Sequence, residues 1–540
     1  MKAVTKSYVF VIVLALASFF VYNAALPTDI MEVRNLVTAH EMATEGHVIV
    51  PTMNGELRLE KPPLPTWVAG AIEWAWSGSL SAQRVAAGVM GCVWTLFMYL
   101  FALHLSGRRR YALIATVVFL TCYQIVLMGR TATWDIYCHA LMMGGIYMLY
   151  RGLTACCRYR WRWMSAAGVL MGLSFLSKGP VSFYALLLPF LVGVAGDPRA
   201  ATRGKWDAIA LMVVITVVVG GWWHAWLYLF HRDAIDAVMA KETGAWANHN
   251  TRAWYYYWRF FTETGVWTVL TLAALFVPYW KQRITDARTY LFTVTWMVAA
   301  VVLLSLMPEK KMRYLLPMMA PCALCVAALL DHFCEGRDRW SRVVYRVNGY
   351  IVALISVALP VALYVLKMIT LTKLLVLLPL FVAIDVWLVM AVRGLRPTRF
   401  VVAVGCLFML TECTVLGDVG RVFANPDRHS ISQLREVKAV RDLPFYHPAT
   451  EDLRIEMVYE AGRKIRPLDL TNADSVARHL PLVLVSQKAA TTYMSPAVRA
   501  AVDTVFVGRY DDNRHPKTDR HYTSAFLNGV TIIKKKTKQP

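Results

Sequence analysis

Chemistry in this chain needs charged side chains held in fixed places, and a few short segments supply them. Glu60-Lys61-Pro62-Pro63 is followed by Leu64-Pro65-Thr66-Trp67. Two prolines set the backbone directly after an adjacent acid and base, and Trp67 is the residue type favoured where water meets lipid. Gly129-Arg130-Thr131-Ala132-Thr133-Trp134-Asp135 opens an apolar run. A carboxylate inside such a run is costly unless it is paired or functional, and Arg130 is the nearby partner the sequence offers to Asp135. In Ser177-Lys178-Gly179-Pro180 the lysine either meets a phosphate as a point charge or snorkels to the interface. Pro308-Glu309-Lys310-Lys311-Met312-Arg313-Tyr314 sets three cations on one turn, which calls for an anion such as a phosphate or diphosphate head group. The plainer alternative is a basic turn neutralised by Glu309 and lipid. Asp29, Glu32 and Arg34 stand where the first apolar run ends, facing either a cavity among helices or ordinary solvent. Lys241-Glu242-Thr243 precedes Trp254-Tyr255-Tyr256-Tyr257-Trp258-Arg259, an aromatic run that reads as an interfacial belt ahead of a sugar-stacking surface.

The elements that must carry these groups follow from composition. The 540 residues are 57% hydrophobic and 17% charged, with a mean hydropathy of +0.44, which excludes a soluble enzyme of this length. A formal charge of +22 would point to nucleic acid in a soluble protein, but here long apolar runs make membrane topology its first explanation. The first run, Tyr8 to Ala25, lacks a small-residue cleavage site before Asp29 and reads as an uncleaved span. Further runs fall near 82–105, 111–128, 134–150, 164–177, 181–196, 207–230, 264–279, 289–306, 314–331, 347–366, 372–392 and 399–416, giving about thirteen transmembrane helices. All ten cysteines, from Cys92 and Cys122 to Cys156, Cys157 and Cys413, lie in or beside the apolar spans, which argues against a disulfide framework.

Alternate loops are short and basic: Arg108-Arg109-Arg110; Arg151, Arg158, Arg160 and Arg162; Arg199, Arg203 and Lys205; Lys281, Arg283 and Arg288; Arg337 to Arg346; Arg393 to Arg399. The preference of Lys and Arg for the cytoplasmic side puts these loops and the N-terminus inside. The other face then holds the long segments 26–81 and 231–263, the turn 307–313 and the tail, so any chemistry is expected outside. Within the first of these segments, Met31 to Thr44 has the spacing of a short amphipathic helix at the membrane surface. Two domains are expected: a transmembrane domain, 1–417, whose outer loops form the active site, and a small α/β soluble domain, 418–540. In the tail, His515, His521 and Asp511-Asp512 read as a solvated face, with no metal-ligand cluster. The chain shows no internal repeat and no Walker or dinucleotide-binding glycine motif.

On these residues the chain resembles the membrane-embedded GT-C glycosyltransferases that use a polyprenyl-phosphate sugar. It is most similar to the lipid A aminoarabinose transferase and protein O-mannosyltransferase-like group. The resemblance runs over about the first 420 residues, through Glu32-x-Arg34, Glu41-Met42, VPTMNGELRLEKPPLPTW, the Arg130/Asp135 segment, Ser177-Lys178-Gly179-Pro180 and EKKMRYLLPMMAP. It implies a cavity-facing acid after the first span, here Asp29 or Glu32, with Asp135 as a second carboxylate. It also implies that Glu60 and Lys61 line the donor-phosphate site and that Lys178, Lys310, Lys311, Arg313 and Tyr314 hold the lipid phosphate, with Arg34, Arg130 and Glu242 among the substrate-binding residues. The sequence departs from the pattern twice. Met31 stands where an Asp would directly precede Glu32, and Thr243 follows Glu242 where a histidine would complete a divalent-metal site with Glu60. No cofactor is therefore assigned.

The implied reaction is an inverting displacement. A carboxylate takes the acceptor's proton, the acceptor attacks the anomeric carbon, and cations stabilise the departing polyprenyl phosphate. The expected setting is a bacterial inner membrane with a periplasmic tail, a polyprenyl (undecaprenyl) phosphate donor, and lipid A or a related envelope acceptor, with no nucleic acid involved. A protein acceptor is the alternative enzyme reading. A lipid-glycan flippase or a secondary transporter is the non-enzymatic one, against which stands the clustering of cations with carboxylates at the outer edge, away from the midplane.

Overall fold

The computed structural model describes residues 2–155, 159–248, 250–335, 338–422 and 425–536, so Cys156, Cys157, Arg158 and Arg337 lie outside the described residues. The chain divides into two compact units: 1–25, 59–65 and 81–418 form one, and 26–58, 66–80 and 419–540 the other.

The first unit is helical. Its early elements are α1 (Lys2–Phe20), α4 (Leu80–Ser106), α5 (Arg109–Leu120) and α6 (Tyr123–Met128), with α2 (Ile30–Glu45) and α3 (Leu64–Ala75) intervening in sequence. There follow α7 (Trp134–Thr154), α8 (Arg160–Lys178), α9 (Leu188–Ala195), α10 (Trp206–Phe230) and α11 (Arg232–Asn248), and then the short α12 (Thr268–Ala274) and α13 (Val277–Trp280). The series closes with α14 (Ala287–Leu306), α15 (Met319–Glu335), α16 (Arg339–Val365), α17 (Leu371–Arg393) and α18 (Pro397–Thr414). Among the described residues, seven helical segments are long and apolar enough to cross a membrane, and the chain is a multi-pass membrane protein.

Several expected spans are interrupted, for local reasons. The 111–128 run breaks at Thr121, whose hydroxyl donates to the Val117 carbonyl (2.7 Å) and accepts from the Trp267 indole (2.8 Å). The 181–196 run starts as a wide helical turn, Phe183–Leu187, before α9. The 264–279 run is not one helix: Gly265 adopts φ 63°, ψ −118° and ends a 3-10 segment, Trp254–Trp267, after which come only α12 and α13. Small residues let helices approach closely. A Cβ on Gly172 of α8 would lie 2.6 Å from Val219 of α10, and one on Gly220 would lie 2.8 Å from the Gly172 carbonyl.

The second unit pairs the outer segment with the tail. α2 has the amphipathic spacing expected of 31–44, but its apolar face does not lie on a membrane surface. Val33 and Val37 are buried in one core with Phe445, Ile465, Val483 and Ile532, because the tail sheet offers a protein surface for them. Asn54-Gly55, both at positive φ (56° and 82°), turn a hairpin between β1 (Thr52–Met53) and β2 (Glu56–Leu57). Buried Glu41 accepts from Thr52 Oγ1 (2.7 Å), Asn54 N (2.5 Å) and Gly55 N (3.1 Å), and the Asn54 amide exchanges two 2.8 Å bonds with the Ile465 backbone. The tail strands are β3 (Phe445–Pro448), β4 (Ile465–Leu468), β5 (Leu482–Ser486), β6 (Val502–Asp511) and β7 (Leu527–Lys535). They form a sheet ordered β4-β3-β5-β7-β6, parallel across β4, β3 and β5 and antiparallel from β5 through β7 to β6.

Candidate functional site

Asp135 occupies the first turn of α7, where the helix dipole favours an anion, and Lys178 the last turn of α8, where it favours a cation. Gly179 follows at φ 67°, a C-cap that only glycine adopts without strain. The antiparallel α7–α8 pair is pinned one turn away, where buried Ser174 Oγ donates to the Cys138 carbonyl (2.6 Å). Lys178 Nζ donates to Asp135 Oδ1, and the two side chains are 6% and 4% exposed. The partner the sequence suggested for Asp135 is therefore replaced. Arg130 is itself 1% exposed, and its guanidinium donates to the carbonyls of Val21 and of Ala17 (2.7 Å), a latch at the end of α1.

Asp135 lines a cavity of about 470 Å³ with His139, Tyr184, Tyr257, Leu304, Glu309 and Tyr314, so most of its wall is apolar or aromatic. The basic turn at its edge is organised from within. Lys310 is buried and donates to the Met307 carbonyl, and burial holds its ammonium below the usual lysine range. Lys311 pairs with Glu309, which also accepts from Tyr314 Oη (3.1 Å). Tyr257 Oη donates to the Lys311 carbonyl (3.0 Å) and accepts from its N–H (2.9 Å), while Thr251 and Glu309 form a β-bridge. Burial pushes the Tyr257 phenol above its ordinary value, so it stays neutral. Of the three cations expected to need an anion, two are satisfied by the turn itself. Arg313 alone makes no hydrogen bond or ion pair among the described residues, although its Nε is buried.

Glu60-Lys61 meets α11 crosswise. Lys241 Nζ lies 3.2 Å from Glu60 Oε1, and Lys61 Nζ lies 3.5 Å from Glu242 Oε2. Glu242 is thus a charge partner of Lys61, and Thr243 beside it offers no imidazole to a metal at Glu60.

The remaining expected residues are in the second unit. Asp29 is the N-cap of α2 and accepts from Met31 N (2.6 Å) and Glu32 N (2.9 Å). Glu32 is fully buried in the first turn, and Arg34 on the same helix is half-buried with an unpartnered Nε.

His139 and Tyr257 are site residues that sequence reading passed over. His139 sits one helical turn below Asp135, is 1% exposed, and has an Nδ1 without a partner among the described residues. Its spacing of four from Asp135 is the readable signal. Tyr257 was hidden in the aromatic run, which divides: Trp254, Tyr255 and Trp258 are more than half exposed, as a belt requires, while Tyr257 is 0% exposed.

Comparison with known proteins places these features in context. A family described as dolichyl-phosphate-mannose-protein mannosyltransferase matches residues 60–223. An undecaprenyl phosphate-alpha-4-amino-4-deoxy-L-arabinose arabinosyl transferase from Pectobacterium carotovorum is 27% identical over 373 residues, covering 66% of this chain and 65% of the relative. A protein of the same description from Proteus mirabilis is 24% identical over 381 residues, with the same coverage. The chain thus spans just under two thirds of the length of these relatives. The crystal structure of ArnT from Cupriavidus metallidurans bound to undecaprenyl phosphate superposes with a TM-score of 0.71 at 17% identity, covering 98% of both chains, and its apo form gives 0.68. The fold is shared over essentially the whole chain, as the GT-C resemblance implied.

Proposed function

We propose that this GT-C-fold membrane protein is a glycosyltransferase that moves a sugar from a polyprenyl phosphate, of the undecaprenyl class, onto lipid A or a related envelope acceptor. The observation that carries this reading is a largely apolar cavity of about 470 Å³ lined by Asp135 and Tyr314, beside which Arg313, next in sequence to Tyr314, makes no hydrogen bond or ion pair among the described residues while its charge acts on Asp135. A polyprenyl phosphate has the same layout, an anionic head on an apolar tail. The relatives described as undecaprenyl phosphate-aminoarabinose arabinosyl transferases, and the undecaprenyl phosphate bound in the ArnT structure, support the same donor class.

In this reading Arg313 and Lys61 bind the donor phosphate and offset the charge that develops as the glycosidic bond breaks. Lys61 does so by exchanging Glu242 for phosphate. Asp135 and Lys178 hold each other in place at the cavity head, and Tyr314 and Glu309 fix the turn that presents Arg313. A carboxylate takes the acceptor's proton as its oxygen attacks the anomeric carbon, and a single displacement inverts that carbon. Asp29 and Glu32 are the proposed bases. The phosphate departs as an anion and needs no acid.

The proposed topology has thirteen crossings, a cytoplasmic N-terminus, the domains 1–417 and 418–540, and the tail in the periplasm of a bacterial inner membrane. A protein acceptor is the second reading, favoured by the description of the family matching 60–223. Incubating membranes with a radiolabelled polyprenyl-phosphate pentose and either lipid A or a hydroxyl-bearing peptide separates the two. Label on lipid A is expected; label on the peptide alone moves the reading to protein glycosylation, and label on neither overturns it.

A further inference from the structure

We propose that the loop between β6 and β7 of the tail is a divalent-metal site of the zinc class, held by His515, Asp519 and His521. The sequence there is His515-Pro516-Lys517-Thr518-Asp519-Arg520-His521. One donor atom from each of the three residues lies within 4.8 Å of the others, a spread that tetrahedral ligands of one ion can reach by small side-chain rotations. His521 Nδ1 lies 2.9 Å and His515 Nδ1 3.5 Å from the Asp519 carboxylate, and the two imidazole rings are 5.2 Å apart. Two imidazoles and one carboxylate suit zinc and its late first-row neighbours, and three protein ligands leave a fourth position for water or an anionic oxygen.

Exposed histidines near an aspartate are common, but this loop is built from beneath. At its start, the Asp511-Asp512 pair is not the solvated face expected from sequence: the two residues are 8% and 4% exposed, and Asn513 beside them is 2% exposed. Asn513 Nδ2 donates to Asp511 Oδ1 (2.7 Å) and to the Thr523 carbonyl (3.0 Å), and Thr523 N donates back to Asn513 Oδ1 (3.0 Å), which closes the loop base. Buried Asn425 donates to the carbonyls of Asn513 (3.0 Å) and His515 (3.2 Å), and Tyr522 Oη to Asp511 Oδ2 (2.8 Å). Asp519 N bonds the Pro516 carbonyl (2.9 Å) and His521 N the Asp519 carboxylate (2.8 Å), which sets the backbone of Asp519 and His521 beside that carboxylate. The ligands are thus placed by a hydrogen-bonded frame before any ion arrives, the condition under which an exposed site gains affinity. The inference stands apart from the glycosyl-transfer reading.

The test uses the full chain in detergent, with any histidine tag removed and metal stripped by a chelator. Zinc is titrated against a chromophoric competitor, and cobalt uptake is followed by its visible absorption. Wild type is expected to take up one more equivalent than His515→Ala/His521→Ala, to bind it about 100-fold or more tightly, and to show a cobalt band that the variant lacks. Asp519→Asn, which keeps both imidazoles, is expected to fall between them. Equal metal uptake by wild type and double variant, including none by either, overturns the proposal, and an Asp519→Asn variant equal to wild type overturns the three-ligand set. Size-exclusion profiles of the variants matching wild type separate loss of ligands from loss of fold.

Discussion

Lys178, the last residue of α8, donates to Asp135 in the first turn of α7, and both side chains are almost sealed from solvent. Each helix end favours the charge it carries, and each charge makes the other tolerable in an apolar setting. Asp135→Asn and Lys178→Ala each break this buried pair, with only the Arg313 charge left to act on Asp135 in the second, so each is expected to cost about 3–5 kcal/mol of stability and to lower sugar transfer by 100-fold or more. A double variant, Asp135→Leu/Lys178→Met, is expected to regain much of the stability in thermal unfolding and none of the activity. Recovery of transfer by the double variant would reduce the pair to a structural role.

The basic turn separates cations by what already satisfies them. Lys311 spends its charge on Glu309, while Arg313 has no such partner among the described residues. Arg313→Ala is expected to raise the KM for the polyprenyl-phosphate donor roughly 10-fold to 100-fold, and Lys311→Ala to change it by less than about 3-fold. Arg313→Lys is expected to recover only part, because a point charge replaces a planar fork. Steady-state kinetics at varied donor check all three.

The place of Lys178 depends on how closely α8 approaches α10. A Cβ at Gly172 would meet Val219 at 2.6 Å, and backbone lies directly behind it. Gly172→Leu is expected to separate these helices and lower the unfolding temperature in detergent, whereas Gly179→Ala, with open space but a φ of 67° and ψ of −145°, costs about 1–3 kcal/mol through backbone strain alone. Thermal unfolding of the two variants side by side distinguishes overpacking from strain.

The tail carries a pH dependence of its own. Burial holds the His447 imidazole of β3 below its ordinary range, so below about pH 6.5 the unfolded chain binds a proton that the folded one refuses. That contribution is fully present above the unfolded value and is lost as pH falls. Amide-exchange protection along β3 and β5 is therefore expected to decline from pH 7 to pH 5.5, and His447→Gln is expected to flatten the decline.

Much of this architecture is legible in residue order, and the exceptions have physical causes. The runs that became α4, α10, α16 and α17 are long and continuous, so periodicity is not needed to see them. The 264–279 run looks similar in composition, but the positive φ of Gly265 and the Pro278 that starts α13 divide it. Asp135 and Lys178 stand out as charges in apolar runs, yet their pairing is set by two helices meeting, and Arg130, nearer in sequence, is drawn instead to the open carbonyls of α1. Lys310 shows why counting charge on a turn overstates the site: a main-chain carbonyl of the same turn already accepts a hydrogen bond from its ammonium. The apolar stripe of α2 is visible from spacing, but only the tail sheet, hundreds of residues away, decides what covers it.

In the proposed function the chain glycosylates an envelope lipid at the site headed by Asp135. Mass spectrometry of lipid A from cells lacking the gene, complemented with either the wild-type chain or Asp135→Asn at matched membrane levels, tests it most directly. Lipid A carrying an added sugar with the wild type, and lacking it with both the empty control and Asp135→Asn, is the expected result. An unchanged lipid A mass in all three strains, or full modification by Asp135→Asn, would contradict it.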